Sequence, residues 1–101
     1  MMETIKILAS IEFSSTATGR QKPFYNGYRP MFTFTDARTK LSGSIALIGR
    51  QKFTQGERGN VEITFIKGVI EDQHFRVGEK FTFAEEPVQV GKGEIIEVIS
   101  S

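Results

Sequence analysis

Apolar and polar residues alternate along several short segments of the chain, which is the period of a β-strand with one buried face. The clearest segment is Thr4 to Phe13, where every second residue is apolar: Ile5, Ile7, Ala9, Ile11 and Phe13. The alternation returns at Phe32 and Phe34 and continues through four later segments, residues 41–48, 61–65, 79–84 and 88–99. No segment has the 3.6-residue period of an amphipathic helix, so the pattern predicts five or six short strands.

Short strands without helices predict an all-β fold, a small antiparallel sandwich or barrel, whose closure would remove exposed strand edges. With 101 residues, the chain is expected to form one domain over residues 1–101. Gly43 lies inside a strand pattern and predicts a bulge or a close approach of another backbone. Gly91 and Gly93 predict bends in the last strand.

The most unusual stretch is residues 19–35, which holds two prolines, two glycines, five aromatic residues and three cations. Pro23 and Pro30 fix φ and lack an amide donor, while Gly19 and Gly27 permit backbone angles that other residues avoid. The stretch is therefore expected to be a loop that enters a strand at Met31. The preceding segment 14–22 is small and polar, as in a surface loop that displays a binding residue.

The composition of the chain excludes several classes of protein. No apolar run approaches the roughly 20 residues of a membrane-spanning helix, and the first residues do not have the pattern of a signal peptide. The chain has no cysteine, which excludes disulfides, thiolate metal ligands and a cysteine nucleophile. These features predict a cytoplasmic globular domain without a membrane partner.

Charge is unevenly distributed, although the net charge is only +1. Residues 1–58 carry nine Lys/Arg and four Asp/Glu, a net charge of +5, whereas residues 59–101 carry four and eight, a net charge of −4. The first half could face an anionic partner. The alternative is that these charges are ordinary solvated faces of a β protein.

The order of these segments resembles the third, C-terminal β-barrel domain of elongation factor Tu over nearly the whole chain. The family pattern G-R-H-T-P-F-F-x-G-Y-R-P-Q-F is followed in register by residues 19–32, GRQKPFYNGYRPMF. Weaker matches follow in order: residues 41–45 for V-T-G-T-I, 55–57 for P-G-D, 78–81 for G-L-R-F and 90–93 for V-G-A-G. The resemblance implies a closed six-stranded antiparallel β-barrel.

In this family the third domain contacts the T stem of tRNA, the exchange partner elongation factor Ts and its own G domain. The chain has no G-x-x-x-x-G-K-[ST] motif, so no GTPase activity and no bound nucleotide are expected. Of the tRNA contacts the resemblance implies, Arg20 is retained and Lys22 adds a cation. In the second contact motif, R-E-G-G-R-T, Glu85 is retained, whereas both arginines are replaced, by Ala84 and Val88.

The candidate residues for RNA or partner binding combine cations, one aromatic side chain and one carboxylate: Arg20, Lys22, Tyr25, Arg29, Arg50, Lys52 and Glu85. Aromatic rings interleaved with cations are a common way of holding nucleic acid. The alternative for Phe24, Tyr28 and Arg29 is structural, with the rings plugging one end of the core and Arg29 holding loop carbonyls.

Catalysis is not expected. His74 is the only histidine, and with Glu71 and Asp72 it offers too few groups for a metal site or a catalytic constellation, so a solvated loop is the simpler interpretation. No cofactor or metal is predicted. The leading hypothesis is a noncatalytic, translation-related module that binds tRNA, another RNA or a translation factor. The alternative is a protein-interaction or homodimerising β-barrel without an RNA role.

Overall fold

The computed structural model describes residues 4–14, 22–34, 40–66, 75–85 and 88–100. Within these ranges the protein is all β, and six strands close into an antiparallel barrel, which confirms the predicted fold class. In chain order the strands are β1 Thr4–Phe13, β2 Phe24–Tyr25, β3 Met31–Phe34, β4 Lys40–Leu47, β5 Lys52–Phe53, β6 Arg58–Ile66, β7 Lys80–Glu85 and β8 Val88–Ser100.

Neighbouring strands around the barrel follow the order β1, β6, β4, β3, β7, β8 and back to β1. The register places apolar residues opposite one another, for example Ile63 opposite both Ile7 and Ile45. Phe32 lies opposite Phe83 in the same way. Because side chains alternate across a strand, this register directs all of these residues into the barrel.

Phenylalanine rings fill much of the interior. Phe32 packs edge-on against Phe65 and Phe81, with ring centroids 5.0 and 5.6 Å apart, and all three side chains are fully buried. Burying a side chain of this size contributes about 1.5 to 3 kcal/mol relative to exposure. The alternation in the sequence therefore identified the residues that stabilise the barrel.

The strand glycines make room for these rings. A Cβ at Gly43 would lie 2.8 Å from the Phe65 ring, while β4 keeps a regular register with both neighbours. The expected bulge or backbone approach at Gly43 was therefore wrong, because the close neighbour is an aromatic side chain. Gly91 and Gly93 lie within β8, where a Cβ would lie 2.1 Å from the Phe83 ring and 2.7 Å from the Phe81 ring.

One turn geometry occurs three times in the described ranges. Each of the three turns has four residues, and the third is a glycine with φ between +89° and +91°. The N–H of the fourth residue donates to the carbonyl of the first, as in a type II turn. Each turn docks on one barrel residue through two backbone hydrogen bonds of 2.7 to 3.0 Å. The docked turns are residues 25–28 on Ile45, residues 54–57 on Phe13 and residues 76–79 on Ile95.

The first two docked turns lie at the same end of the barrel, where β1 and β4 end and β3 and β6 begin. The strands that precede them, β2 and β5, pair with each other as a two-stranded ribbon. Phe24 and Phe53 of this ribbon stack with centroids 5.3 Å apart, and Phe24 also packs against Phe13. Both ribbon rings are fully buried, so they cover this end of the core.

Candidate functional site

Most of the sequence-predicted site residues meet where the β2–β5 ribbon covers the barrel. We call this region the ribbon end; it comprises residues 22–30, residues 48–57 and Glu85. It includes the following predicted residues: Lys22, Tyr25, Arg29, Arg50, Lys52 and Glu85. Arg20 lies outside the described residues, as do Glu71, Asp72 and His74. The two halves of the candidate set, far apart in the sequence, come together because β2 pairs with β5.

Tyr25 and Lys52 are direct cross-strand partners in the ribbon. The preceding residue of β2, Phe24, points into the core, so the two-residue period of the strand turns Tyr25 outward, and 58% of its surface is exposed. Lys52 is exposed for the same reason, since its neighbour Phe53 is buried. An exposed aromatic ring therefore lies beside an exposed cation.

The turn that follows Tyr25 is held firmly to the barrel. Asn26 Oδ1 accepts a hydrogen bond of 2.5 Å from the Leu47 amide. Gly27 donates to the Ile45 carbonyl, and the Ile45 amide donates back to Tyr28. Tyr25 is thus displayed on a fixed turn, which lowers the conformational entropy that a ligand would have to remove.

Tyr28 is the last residue of this turn, and its side chain packs towards the core. Its ring stacks on Phe24 with centroids 4.5 Å apart, and its hydroxyl donates a 2.5 Å hydrogen bond to Glu85 Oε2. The expected plugging role is confirmed for Phe24 and Tyr28. Arg29 is exposed and makes no hydrogen bond to another described residue, so the structure does not support its expected role in holding loop carbonyls.

Arg50 has an internal role in the ribbon end. Its guanidinium lies 4.6 Å from the centre of the Phe53 ring, and Nη1 donates to Glu57 Oε1 at 3.2 Å. A Cβ on Gly59 would lie 3.4 Å from Nη2, so the strand leaves room for the guanidinium. These contacts engage the Arg50 side chain within the protein, so Lys52 is the more available of the two cations.

The surroundings of Glu57 lower the pKa of its carboxyl group. The Thr54 amide donates to Glu57 Oε1 at 2.6 Å, and this hydrogen bond to the charged form holds the pKa below its ordinary value near 4.5. Desolvation opposes that effect, while the charges of Arg50 and Lys52 reinforce it. Glu57 therefore stays ionised and partly offsets the positive charge of the ribbon end.

The ribbon end nevertheless keeps an excess of cations. Its described residues include four basic side chains, Lys22, Arg29, Arg50 and Lys52, against two acidic ones, Glu57 and Glu85. Arg50 pairs with Glu57. Lys22, Arg29 and Lys52 make no ion pair with another described residue, and all three are exposed. This arrangement leaves three cations available to an anion.

A second concavity lies on the barrel wall, across β6, β1, β8 and β7. This wall groove has a volume of about 490 Å³, and its polar lining comprises Ser10, Glu12, Arg58, Lys80, Lys92 and Glu94. Arg58 Nη2 lies 3.4 Å from Glu12 Oε1. Glu12 is also the cross-strand partner of Lys92. Lys80 lies opposite Glu94 in the same way. Each cation of the groove thus has an acidic neighbour from the protein itself.

No protein-family model matches the chain. In the described ranges, no group of three or more His, Cys, Asp or Glu side chains is placed to hold a metal ion. The same ranges contain no helix with the length and apolar character needed to cross a membrane. The ribbon end therefore has to be interpreted from its own geometry, and the resemblance to elongation factor Tu stays a prediction.

Sequence reasoning missed the ribbon itself and the docking of its turns. The two strands have two residues each, too short for alternation to be visible. A usable signal was present, since Asn26-Gly27 is a common turn dipeptide and Gly56 occupies the same place in the second turn. The internal role of Arg50 had no sequence signal, because it depends on contacts across the folded ribbon.

Proposed function

We propose that the protein is a noncatalytic binding module that holds RNA at the ribbon end. The observation that carries the proposal is the set of three exposed cations at the ribbon end, Lys22, Arg29 and Lys52. Lys52 lies directly across the ribbon from the exposed ring of Tyr25. Phosphate neutralisation by Lys and Arg supplies most of the sequence-independent affinity for nucleic acid. The resemblance to the third domain of elongation factor Tu adds translation as the expected setting and tRNA as the first RNA to test.

The test is a titration of fluorescently labelled total tRNA, at low and moderate salt, followed by anisotropy. We expect binding that weakens as salt rises, because association releases counterions. Lys22→Glu combined with Lys52→Glu should weaken binding about tenfold or more, since it replaces attraction with repulsion at the same two positions.

The matched control is Lys40→Glu combined with Lys92→Glu, which changes the net charge equally at two positions that are not part of the ribbon end. Lys40 begins β4 at the opposite end of the barrel, and Lys92 lies on the wall. Absence of binding at low salt, or equal losses in the two double variants, would contradict the proposal. Circular dichroism establishes that each variant is folded.

The second candidate is a protein-interaction or homodimerising barrel. It is favoured by exposed apolar side chains outside the ribbon end, namely Val77 at 68%, Ile96 at 39% and Ile99 at 41%. Such a barrel would form a protein complex that survives nuclease and high salt. Light scattering after size exclusion, with a nuclease-treated pull-down, distinguishes it from an RNA-binding module.

A further inference from the structure

We propose that the ribbon end selects unpaired nucleotides, with one base stacked on Tyr25 and a neighbouring phosphate held by Lys52. The inference rests on the proposed RNA-binding function and names its substrate class, single-stranded RNA. It depends on the geometry around Tyr25 rather than on the charge of the region alone.

The first step is the exposure of the ring. The phenylalanine side chains of the described residues reach at most 6% exposure, and Tyr28 is stacked on Phe24, whereas Tyr25 is 58% exposed. A small barrel that buries its phenylalanine rings exposes this tyrosine ring on a strand that is only two residues long. The strand cannot bury Tyr25 and Phe24 together, so the fold fixes the ring on the outer face.

The second step is rigidity. Tyr25 is the first residue of a docked turn, and the Tyr28 amide donates to its carbonyl at 3.1 Å. Its ribbon partner is Lys52, and the turn is tied to β4 through Asn26 and Gly27. A base that stacks on this ring therefore meets a platform that is already in place, with a cation across the ribbon to contact the backbone.

The third step is the form of RNA that such a platform accepts. In an A-form duplex both faces of each base are covered by its neighbours, and side chains cannot read the narrow major groove. An unpaired base has a free face, and aromatic side chains hold such bases with little sequence preference. A single projecting ring beside cations therefore fits single strands, loops or unpaired ends better than a continuous stem.

The experiment compares a uridine oligonucleotide with a blunt-ended RNA duplex, a continuous stem without a loop, that contains the same number of phosphates. Tyr25→Leu removes the flat ring while keeping an apolar side chain, and it should weaken single-strand binding about 5- to 150-fold, the range expected for loss of one base stack. Tyr25→Phe should retain the affinity, and Val77→Ala, at an exposed apolar residue outside the ribbon end, should leave it unchanged. Stem binding should be the same in all three variants.

A second readout follows the ring directly. The chain has two tyrosines and no tryptophan, so Tyr28→Phe leaves Tyr25 as the only source of tyrosine fluorescence. We expect the single strand to quench this fluorescence in proportion to binding, with little quenching by the stem. Unchanged affinity in Tyr25→Leu, or equal losses for strand and stem, would overturn the inference while leaving RNA binding intact. If the wild-type protein binds neither RNA at low salt, both proposals fail.

Discussion

The ribbon end and the wall groove both carry Lys and Arg side chains. The two surfaces differ in how many of these cations face an acidic side chain. In the wall groove, Arg58 pairs with Glu12, and Lys80 lies opposite Glu94 on the neighbouring strand. At the ribbon end, Lys22 and Lys52 make no ion pair with another described residue. Lys52 lies close enough to Glu57 to help lower its pKa, but its cross-strand partner is Tyr25 and not an acid. The numbers of cations are similar, four at the ribbon end and three in the wall groove, so the two surfaces are distinguished by the strand register and not by the count.

The difference teaches that strand pairing determines which charges remain available. In an antiparallel sheet, opposite charges on facing residues attract each other and are satisfied within the protein. The ribbon has one cross-strand pair on its outer face, Tyr25 with Lys52, and that pair contains no acid. We therefore expect an anionic ligand to bind more tightly at the ribbon end than in the wall groove.

The largest effect is expected from removing the ring that holds the ribbon on the barrel. Phe24→Ala deletes contacts with Phe13, Tyr28 and Phe53, and we expect it to lower the free energy of unfolding by about 3 to 5 kcal/mol. Urea unfolding measures this loss. Lys92→Ala on the wall is the control and should change stability by less than about 0.5 kcal/mol. A loss below 1 kcal/mol for Phe24→Ala would mean that the ribbon is not a cap of the core.

The next prediction concerns the salt dependence of RNA binding. Lys22→Ala with Lys52→Ala should reduce the slope of log affinity against log salt by about 1.4, since each phosphate contact to a single strand contributes about 0.7. The matched variant in the wall groove, Lys80→Ala with Lys92→Ala, should leave the slope unchanged. The comparison of the two surfaces fails if the wall variant changes the slope as much as the ribbon-end variant.

A smaller effect is expected from the hydroxyl that joins β7 to the ribbon end. Tyr28→Phe removes the hydrogen bond to Glu85 and should lower the free energy of unfolding by about 1 kcal/mol. Tyr25→Phe, which deletes the hydroxyl of an exposed side chain, is the control and should change stability by less than about 0.5 kcal/mol. Thermal unfolding of both variants checks this, and equal stability would assign no role to the Tyr28 bond.

The smallest predicted effect is the pH dependence contributed by Glu57. Its pKa is lower in the folded protein, so the contribution is present above the ordinary value near 4.5 and is lost as pH falls through the folded pKa. The stability difference between the wild type and Glu57→Gln should therefore be constant near neutral pH and shrink below about pH 4.5. Urea unfolding from neutral to acid pH measures it. A difference that does not vary with pH would contradict the assigned hydrogen bond from Thr54.

The strands of the barrel were predictable because the signal for each strand lies in its own short segment of sequence. Alternation at Ile5, Ile7 and Ala9 and at Phe81 and Phe83 reports which face of each strand is buried, and the observed burial follows it. The same rule could not predict the neighbour of Gly43, because an aromatic ring and a backbone leave the same signature in the sequence. Only the fold places Phe65 there.

The candidate site was predictable only in part. Lys22, Tyr25 and Lys52 were named from residue type, and the structure adds that Tyr25 and Lys52 face each other across a ribbon. That pairing depends on two turns docking on Phe13 and Ile45, residues distant from the turns in sequence. The engagement of Arg50 by Glu57 likewise appears only when the second turn is folded.

The most direct test of the account is to locate the RNA on the protein. Backbone amide chemical shifts of the isotopically labelled wild-type protein, recorded as single-stranded RNA is added, report which residues sense the ligand. We predict the largest changes at residues 22–29 and 50–53, with little change along the wall groove. Changes concentrated at residues 10–12 and 92–94, or none at all, would contradict the claim that unpaired cations at the ribbon end form the binding surface.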